Sequence, residues 1–490
     1  MAVTVGAPAR APAPPSGRHR APAVREFRRA RSLGGALGIT LLGAALPGAG
    51  YLWSGRRLGY AVLLPFLAGI GLTAFYVGDL RRAADLAFDP TRLEVVRVAV
   101  GALLLVWVFV VATTYLMVRP RGMQRLEKGL GVLVVSLVCV LVSIPAVQAM
   151  RIAGSQADLV RTVFDGEDTA TAPDDVTEED PWGGRQQVNV LLLGGDGGVG
   201  RTGIRTDSVI LLSMNTTTGR SVMFSLPRNM MNAQFPEDSP LHEVFPDGFR
   251  NADGSDPGNW MLNAVYSQVP ALYPHILGAS ENEGADAVKQ AVAGSLGTHV
   301  DYYVLINLLG FQQLVDAMGG VTVNINEPIA INGNTDAGIP PTGYLQPGPD
   351  QHLSGFQALW YSRGRWGSDD YKRMLRQRCM VGALVDAADP LTVLRRYQAL
   401  ASAGKEILRT DVPRTLMPAF VDLAMKVKER PMKSMAFVSS DKFFSGDPDY
   451  DWMHDVVDRA LAPKKKHAAA PDEAGTPVKT TDACGYHPVQ

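Results

Sequence analysis

The sequence predicts an α/β protein: a three-layer α/β/α sandwich with a mixed central sheet, preceded by a helical transmembrane region. Three observations carry this reading. Four apolar stretches crowd the first 150 residues, at 34–52, 58–80, 95–118 and 130–150. From Val188 onward, short aliphatic runs alternate with segments of helical spacing. The rhythm is not that of an all-parallel sheet, because Ser208–Met214 and Ser221–Leu226 flank the polar turn 215–219 as a β-hairpin.

Residues 1–33 read as a disordered basic cytoplasmic tail, with Arg10, Arg18, Arg20, Arg25, Arg28, Arg29 and Arg31 against Glu26. The membrane region follows at 34–150. A bilayer core needs about 20 apolar residues of helix, and the stretches 58–80, 95–118 and 130–150 supply them. Arg119, Arg121, Arg125 and Lys128 against Glu127 mark the loop at 119–129 as cytoplasmic, and Arg56 and Arg57 then lie on the same side. Both ends of 34–52 are therefore cytoplasmic, and this stretch, broken by Pro47 and several glycines, is expected to dip into the interface without spanning. Three spans place residues 151–490 outside the cell membrane. No small-residue cleavage site follows a short apolar core, so the region reads as an anchor.

Residues 151–187 form a linker, with nine acids from Asp158 to Asp180 against Arg161 in that span. The main domain is expected at 188–390. Its elements run in order: strand Val188–Leu193, the hairpin, an exposed loop over 232–258 rich in Pro, Asp and Gly, and helix Ala285–Leu296. Strand Tyr302–Ile306, helix Leu308–Met318 and strand Val321–Ile325 follow, the last two separated by Gly319 and Gly320. Helices Ser354–Ser362 and Asp369–Ala388 close it, the second stopped by Pro390. Residues 391–461 read as a mostly helical extension with one strand at Ala436–Ser439, and 462–490 as a flexible tail.

Lys+Arg total 47 and Asp+Glu 48, so no global field favours nucleic acid. The informative charges are local. Asp196 ends the first strand, Arg205 and Asp207 open the next, and Arg228 ends SVMFSLPRN. Arg363, Arg365, Asp370, Arg373 and Gln377 lie within YSRGRWGSDDYKRMLRQ, where Arg373 and Gln377 at i and i+4 share a helix face. Guanidinium forks fit phosphate oxygens, so convergence of these residues would suit a polyanion, with Asp196 and Asp207 holding its divalent cation. Each residue alone reads equally well as a capping aspartate or a solvated arginine.

Two phosphate-loop look-alikes, 195–202 and 198–203, precede a β-branched segment. Both motifs need a helix at that point, so nucleotide binding is not expected. His242, His275, His299 and His352 show no metal-ligand spacing. Cys379 and Cys484 are the cysteines outside the predicted spans; they either pair, as an oxidising compartment permits, or remain free thiols.

The segments NVLLLGGD, RTDSVILLSMN, SVMFSLPRN, MLNAVY, DYYVLINLLGFQQLVDAMGGVTV and YSRGRWGSDDYKRMLRQ occur in an order and spacing that resemble the LytR-CpsA-Psr family of cell-wall proteins, over 187–388. The resemblance implies an α/β/α sandwich with an apolar pocket for a prenyl tail. It further implies a Mg²⁺-dependent (or Mn²⁺-dependent) phosphotransferase that moves a glycopolymer from a polyprenyl-pyrophosphate carrier onto peptidoglycan, with pyrophosphate cleavage as a side activity. By residue, it assigns Asp196 and Asp207 to the metal and Arg205, Arg228, Arg363, Arg365, Arg373 and Gln377 to the pyrophosphate. Asp207, Arg228 and Arg373 become the catalytic set. Asn229 departs from the family's usual Asp, and Met261 stands where Lys often precedes LNAxY. RQRC and the late Cys484 are similar to longer actinobacterial members, with arabinogalactan or a teichoic-acid-like polymer as cargo. The rival expectation is a non-catalytic envelope protein that binds lipid or glycan. A transcriptional attenuator would need a cytoplasmic DNA-binding unit, which the short basic segments do not supply.

Overall fold

The computed structural model describes residues 28–163, 169–195, 205–251, 253, 255–333, 338–388, 408–462 and 476–488. The chain divides into two units, 1–71 with 102–145, and 72–101 with 146–490.

The N-terminal region is helical: α1 (Leu33–Ala45), α2 (Ala49–Trp53), α3 (Leu58–Val77), α4 (Leu80–Ala87), α5 (Pro90–Val118) and α6 (Arg125–Val163). Three of these, α3, α5 and α6, are long and apolar enough to cross a membrane. Helix α1 has 13 residues, about 20 Å, short of the ~30 Å of a hydrocarbon core. The break after it falls at Pro47 and at Gly48, whose φ of 96° favours glycine. In the first unit, Ala44, Val111, Tyr115 and Val135 pack together, and Trp107 Nε1 donates to Ala44 O at 3.0 Å.

The second unit carries β1 (Gln187–Gly195), β2 (Thr206–Asn215), β3 (Ser221–Leu226), α7 (Pro240–Val244), α8 (Val265–Leu272), α9 (Glu283–Leu296) and β4 (Tyr302–Asn307). Next come α10 (Leu308–Met318), β5 (Val321–Ile325), β6 (Ile329–Ile331), β7 (Gly343–Leu345), β8 (Gly348–Leu353), α11 (Gly355–Arg363) and α12 (Asp370–Ala387). The last elements are β9 (Leu408–Thr410), α13 (Met417–Lys428), β10 (Lys433–Ala436), α14 (Tyr450–Leu461), β11 (Val478–Lys479) and α15 (Thr480–Ala483).

The sheet order is β11-β10-β3-β2-β1-β4-β9. Strand β1 is antiparallel to β2 and parallel to β4, so the sheet is mixed, as the hairpin beside helical crossovers predicts. Alternate residues serve two faces. Leu191, Leu193, Leu211, Phe224 and Leu226 pack against α9 and α14 through Val288, Val292, Leu296, Met453 and Val457. On the other face, Val188, Val190, Met214 and Tyr302 pack against Leu423 and Val427 of α13, while Leu192, Leu212 and Val304 stay half-buried. Helix α12 packs against β3 and β10. The two small sheets β5-β8 and β6-β7 contribute to a separate core with α10, α11 and α12.

Several boundaries differ from the sequence reading. Helix α6 continues to Val163, into the predicted linker. The rest of that linker, from Thr169, is fixed to the domain. Thr169 Oγ1 donates to Asp411 at 3.0 Å, and Thr171 Oγ1 donates to Asp286. Lys289 Nζ, fully buried, reaches Asp411 Oδ2 at 2.7 Å, Asp301 O at 2.8 Å and Thr171 O at 3.1 Å. Acid composition hid these anchors, because their partners lie far away in sequence.

The expected exposed loop at 232–258 contains α7 and buries Phe235, Leu241, Phe245 and Phe249. Residues 391–461 are not an added extension: they supply β9 and β10 to the central sheet. Strand β10 starts three residues before the expected position. The tail predicted as flexible contributes β11 and α15, and Cys484 is disulfide-bonded to Cys379 of α12. The segments 389–407 and 463–475 lie outside the described residues.

Candidate active site

The site forms where β2 begins and β3 ends. Asp207 is the second residue of β2, and Arg228 follows β3 by two residues. Antiparallel pairing of Val209 with Leu226 brings those strand ends together. Arg228 Nη1 donates to Asp207 Oδ1, and its Nε lies 3.7 Å from Asp370 Oδ1.

Asp370 opens α12, whose N-cap Asp369 accepts from Lys372 N at 2.8 Å. One turn on, Arg373 Nη2 lies 2.9 Å from Asp370 Oδ1 and donates to Oδ2 at 3.1 Å. Asp370 therefore stands between two guanidiniums. Arg373 is only 2% exposed. Burial, opposed by Asp370 and reinforced by Arg228, pulls its pKa down to about 10. It remains charged at neutral pH.

Arg363 and Arg365 are placed by the end of α11. Arg376 holds that end: its Nε donates to Tyr361 O at 2.7 Å, its Nη2 to Gly364 O, and its Nη1 lies 3.8 Å from Glu327. Arg376 is thus structural, although it sits in the same basic run. The Arg363 guanidinium carbon lies 5.9 Å from the Trp360 ring centroid, and Arg365 is exposed. Gln377 Nε2 donates to Ser362 O at 3.4 Å, which ties α12 to the arginine-bearing turn. Arg205 is exposed, and its Nη2 donates to Asn259 Oδ1 at 2.7 Å.

The structure thus joins Asp207 directly to Arg228, and Arg228 to Arg373 through Asp370, while Gln377 of α12 is tied to the turn that carries Arg363 and Arg365. Asp196 lies outside the described residues. Sequence reading gave Asp370 no role; its signal was the i, i+3 spacing to Arg373. It also missed the polar groups around the cluster. Asn229 Oδ1, Asn263 Oδ1, Ser362 Oγ, Ser368 Oγ and Arg373 Nε are all buried without a hydrogen-bond partner. Asn263 is fixed by its N–H, which donates to Arg228 O at 2.9 Å. Buried polar atoms are normally satisfied, so water or a polar ligand is expected to complete these groups.

The donor set fits a hard divalent cation in kind: Asp207 and Asp370 offer carboxylate oxygens, both of them engaged by guanidiniums. Among the described residues no group of three or more His, Cys, Asp or Glu gathers as a metal cluster. Asn229 donates to Ser445 Oγ at 3.4 Å, and Met261 bridges to Met231, so the two departures flank Arg228 without adding charge.

Residues 160–461 match the LytR_cpsA_psr family model. The chain is 28% identical over 254 residues to the Biofilm regulatory protein A of Streptococcus mutans, covering 50% of this chain and 53% of that one. It is 29% identical over 237 residues to TagU of Oceanobacillus iheyensis, named a polyisoprenyl-teichoic acid–peptidoglycan teichoic acid transferase, covering 46% and 60%. The chain thus spans less than two thirds of the length of these curated relatives. A Streptococcus agalactiae protein of known crystal structure is 26% identical, with a TM-score of 0.40, over 53% of this chain and 80% of that one.

Proposed function

From the chain's membership of the LytR-CpsA-Psr family, which it belongs to by a match over 160–461, we propose that it is a membrane-anchored phosphotransferase. It moves a glycopolymer from a polyprenyl-pyrophosphate carrier to peptidoglycan. The observation that carries this reading is the pairing of two buried or half-buried arginines, Arg228 and Arg373, amid polar atoms that lack partners. The domain lies outside the cell membrane, with the N-terminus cytoplasmic, and the cargo is a teichoic-acid-like polymer or arabinogalactan.

In this mechanism Arg228 and Arg373 grip the pyrophosphate, with Arg205, Arg363, Arg365 and Gln377 at its rim. Asp196 and Asp207 are the residues that would hold Mg²⁺ or Mn²⁺, which when bound neutralises pyrophosphate charge. A peptidoglycan sugar hydroxyl, such as the muramic acid C6-OH, forms a P–O bond to the glycan-bearing phosphorus. The bond from that phosphorus to the bridging oxygen breaks, and the electron pair leaves on polyprenyl phosphate. The hydroxyl proton passes to Asp207 or to the phosphate itself. Charge stabilisation and in-line placement carry such a step. The prenyl tail has an apolar surface in Leu192, Leu212 and Val304, half-buried on the α12/α13 face of the sheet. Leu305, Val315 and Met318, by contrast, are core.

A binding-only reading draws on Asn229, an amide where the family carries an acid. The full chain in detergent, given a short-chain polyprenyl-pyrophosphate glycan, Mg²⁺ and peptidoglycan fragments, separates the two. Release of polyprenyl phosphate with label moving to the glycan, dependent on Arg228 and Arg373, is the expected result. Binding without release in the wild type would establish the carrier reading instead.

A further inference from the structure

Helix α12 carries a second buried arginine that the proposed chemistry does not use. Arg378 is 8% exposed. Its single hydrogen bond runs from Nη1 to Ser434 Oγ, at 3.3 Å, and its Nε has no partner. No salt bridge reaches it among the described residues. Arg373 and Arg376, by contrast, lie within reach of Asp370 and Glu327. Burial alone pulls the Arg378 pKa down, to about 10, with no neighbouring charge acting on it. A buried charge without a counter-ion costs several kcal/mol.

Its surroundings hold further buried hydroxyls. Ser434 on β10 pairs with Met223 on β3, so their side chains share a sheet face. Ser221 and Ser225, two residues either side of Met223, share that face, and both hydroxyls are buried without partners. Leu212, half-buried, pairs with Met223 from the other side and continues the row toward the apolar strip. Arg378 lies five residues along α12 from Arg373, roughly 7.5 Å down the helix axis. Ser434 stands opposite Met223, three residues before β3 ends, so the group sits inward of the Arg228 cluster.

We propose that Arg378, with Ser434 and Ser225, forms a second anion subsite that receives the phosphate monoester of the lipid product. The inference rests on the transferase reading above. Before transfer each phosphorus of the pyrophosphate carries one negative charge. When the bridging P–O bond breaks, the leaving lipid phosphate keeps the bridging oxygen and its electron pair and carries up to two. A guanidinium with no carboxylate partner among the described residues matches that added charge, and the adjoining apolar strip suits the chain the phosphate carries.

The test uses the full chain in detergent micelles, comparing wild type, Arg378→Met and Ser434→Ala. The probes are farnesyl phosphate, farnesol and inorganic phosphate. Arg378→Met removes an unpaired charge and keeps apolar volume, so its melting temperature without ligand should equal or exceed that of the wild type. Its affinity for farnesyl phosphate should fall about tenfold or more, with farnesol binding unchanged. Inhibition of transfer by farnesyl phosphate should weaken by the same factor. A lower melting temperature with unchanged farnesyl phosphate affinity would make Arg378 a packing residue and overturn the proposal. Arg373-dependent transfer with no change in product inhibition in Arg378→Met would sink the subsite alone. Monoester binding that depends on Arg378 without any transfer would sink the transferase reading and leave an anion site.

Discussion

Arg228 Nη1 donates to Asp207 Oδ1 at 2.5 Å, and this pair closes the site upon itself. The guanidinium a phosphate would use is occupied by the carboxylate a cation would use. In the proposed reaction a phosphate takes Arg228 and a cation takes Asp207, so ligand and metal are expected to enter together. Asp207→Asn should bind inorganic pyrophosphate more tightly than wild type when no metal is present, because Arg228 is freed. It should lose transfer by about a hundredfold or more. Calorimetry with and without Mg²⁺ reads the first effect; weaker metal-free binding by the variant would contradict it.

Arg373 is nearly inaccessible and shares Asp370 with Arg228. A lysine keeps the charge but not the planar fork. Arg373→Lys and Arg373→Ala are both expected to reduce transfer, by about 10²–10³-fold for alanine, with circular dichroism unchanged. Full transfer by the lysine variant would mean that charge alone suffices there.

The Cys379–Cys484 bond spans 105 residues and fastens α15 and β11 to α12. Replacing both cysteines by serine should cost about 2–5 kcal/mol of stability in chemical unfolding. Transfer measured below the new melting temperature should persist, since Cys379 and Cys484 pack in the core of the small sheets.

Lys289 and Asp411 are fully buried and bind the linker as well as each other. Burial pushes the Asp411 carboxyl upward, against the pull of Lys289. Lys289→Met leaves that carboxylate unpaired and should destabilise by about 3–5 kcal/mol, while the double change with Asp411→Leu should recover most of the loss. Thermal unfolding of the three variants checks this; additive losses would show that the two residues act separately.

His299 Nε2 lies 3.3 Å from Asp301 Oδ2, and that carboxylate raises the imidazole pKa in the folded state. A raised folded value means that the stabilisation is complete below the unfolded pKa of about 6.5 and is lost as pH rises through the folded value. The melting-temperature gap between wild type and His299→Gln should therefore shrink between pH 6 and pH 8. A gap that grows over that interval would reverse the assignment.

The sequence by itself determined the three long apolar helices, the hairpin and the mixed sheet, because these are written in local periodicity and in short ordered segments. Leu308–Met318 and Val321–Ile325 matched residue for residue, since Gly319 and Gly320 mark the break locally. Tertiary structure decided what depends on distant partners. Asp370 gained its place only when α12 met Arg228, and the linker's Thr169 and Thr171 were fixed only by Asp411 and Asp286. Strands β10 and β11 carry weak signals of their own and become strands because β3 offers β10 an edge and β10 in turn offers one to β11. Whether Arg376 or Arg378 met carbonyls, a carboxylate or nothing was likewise set by packing. A helix face can be read from spacing, but its counter-charges come from other parts of the chain.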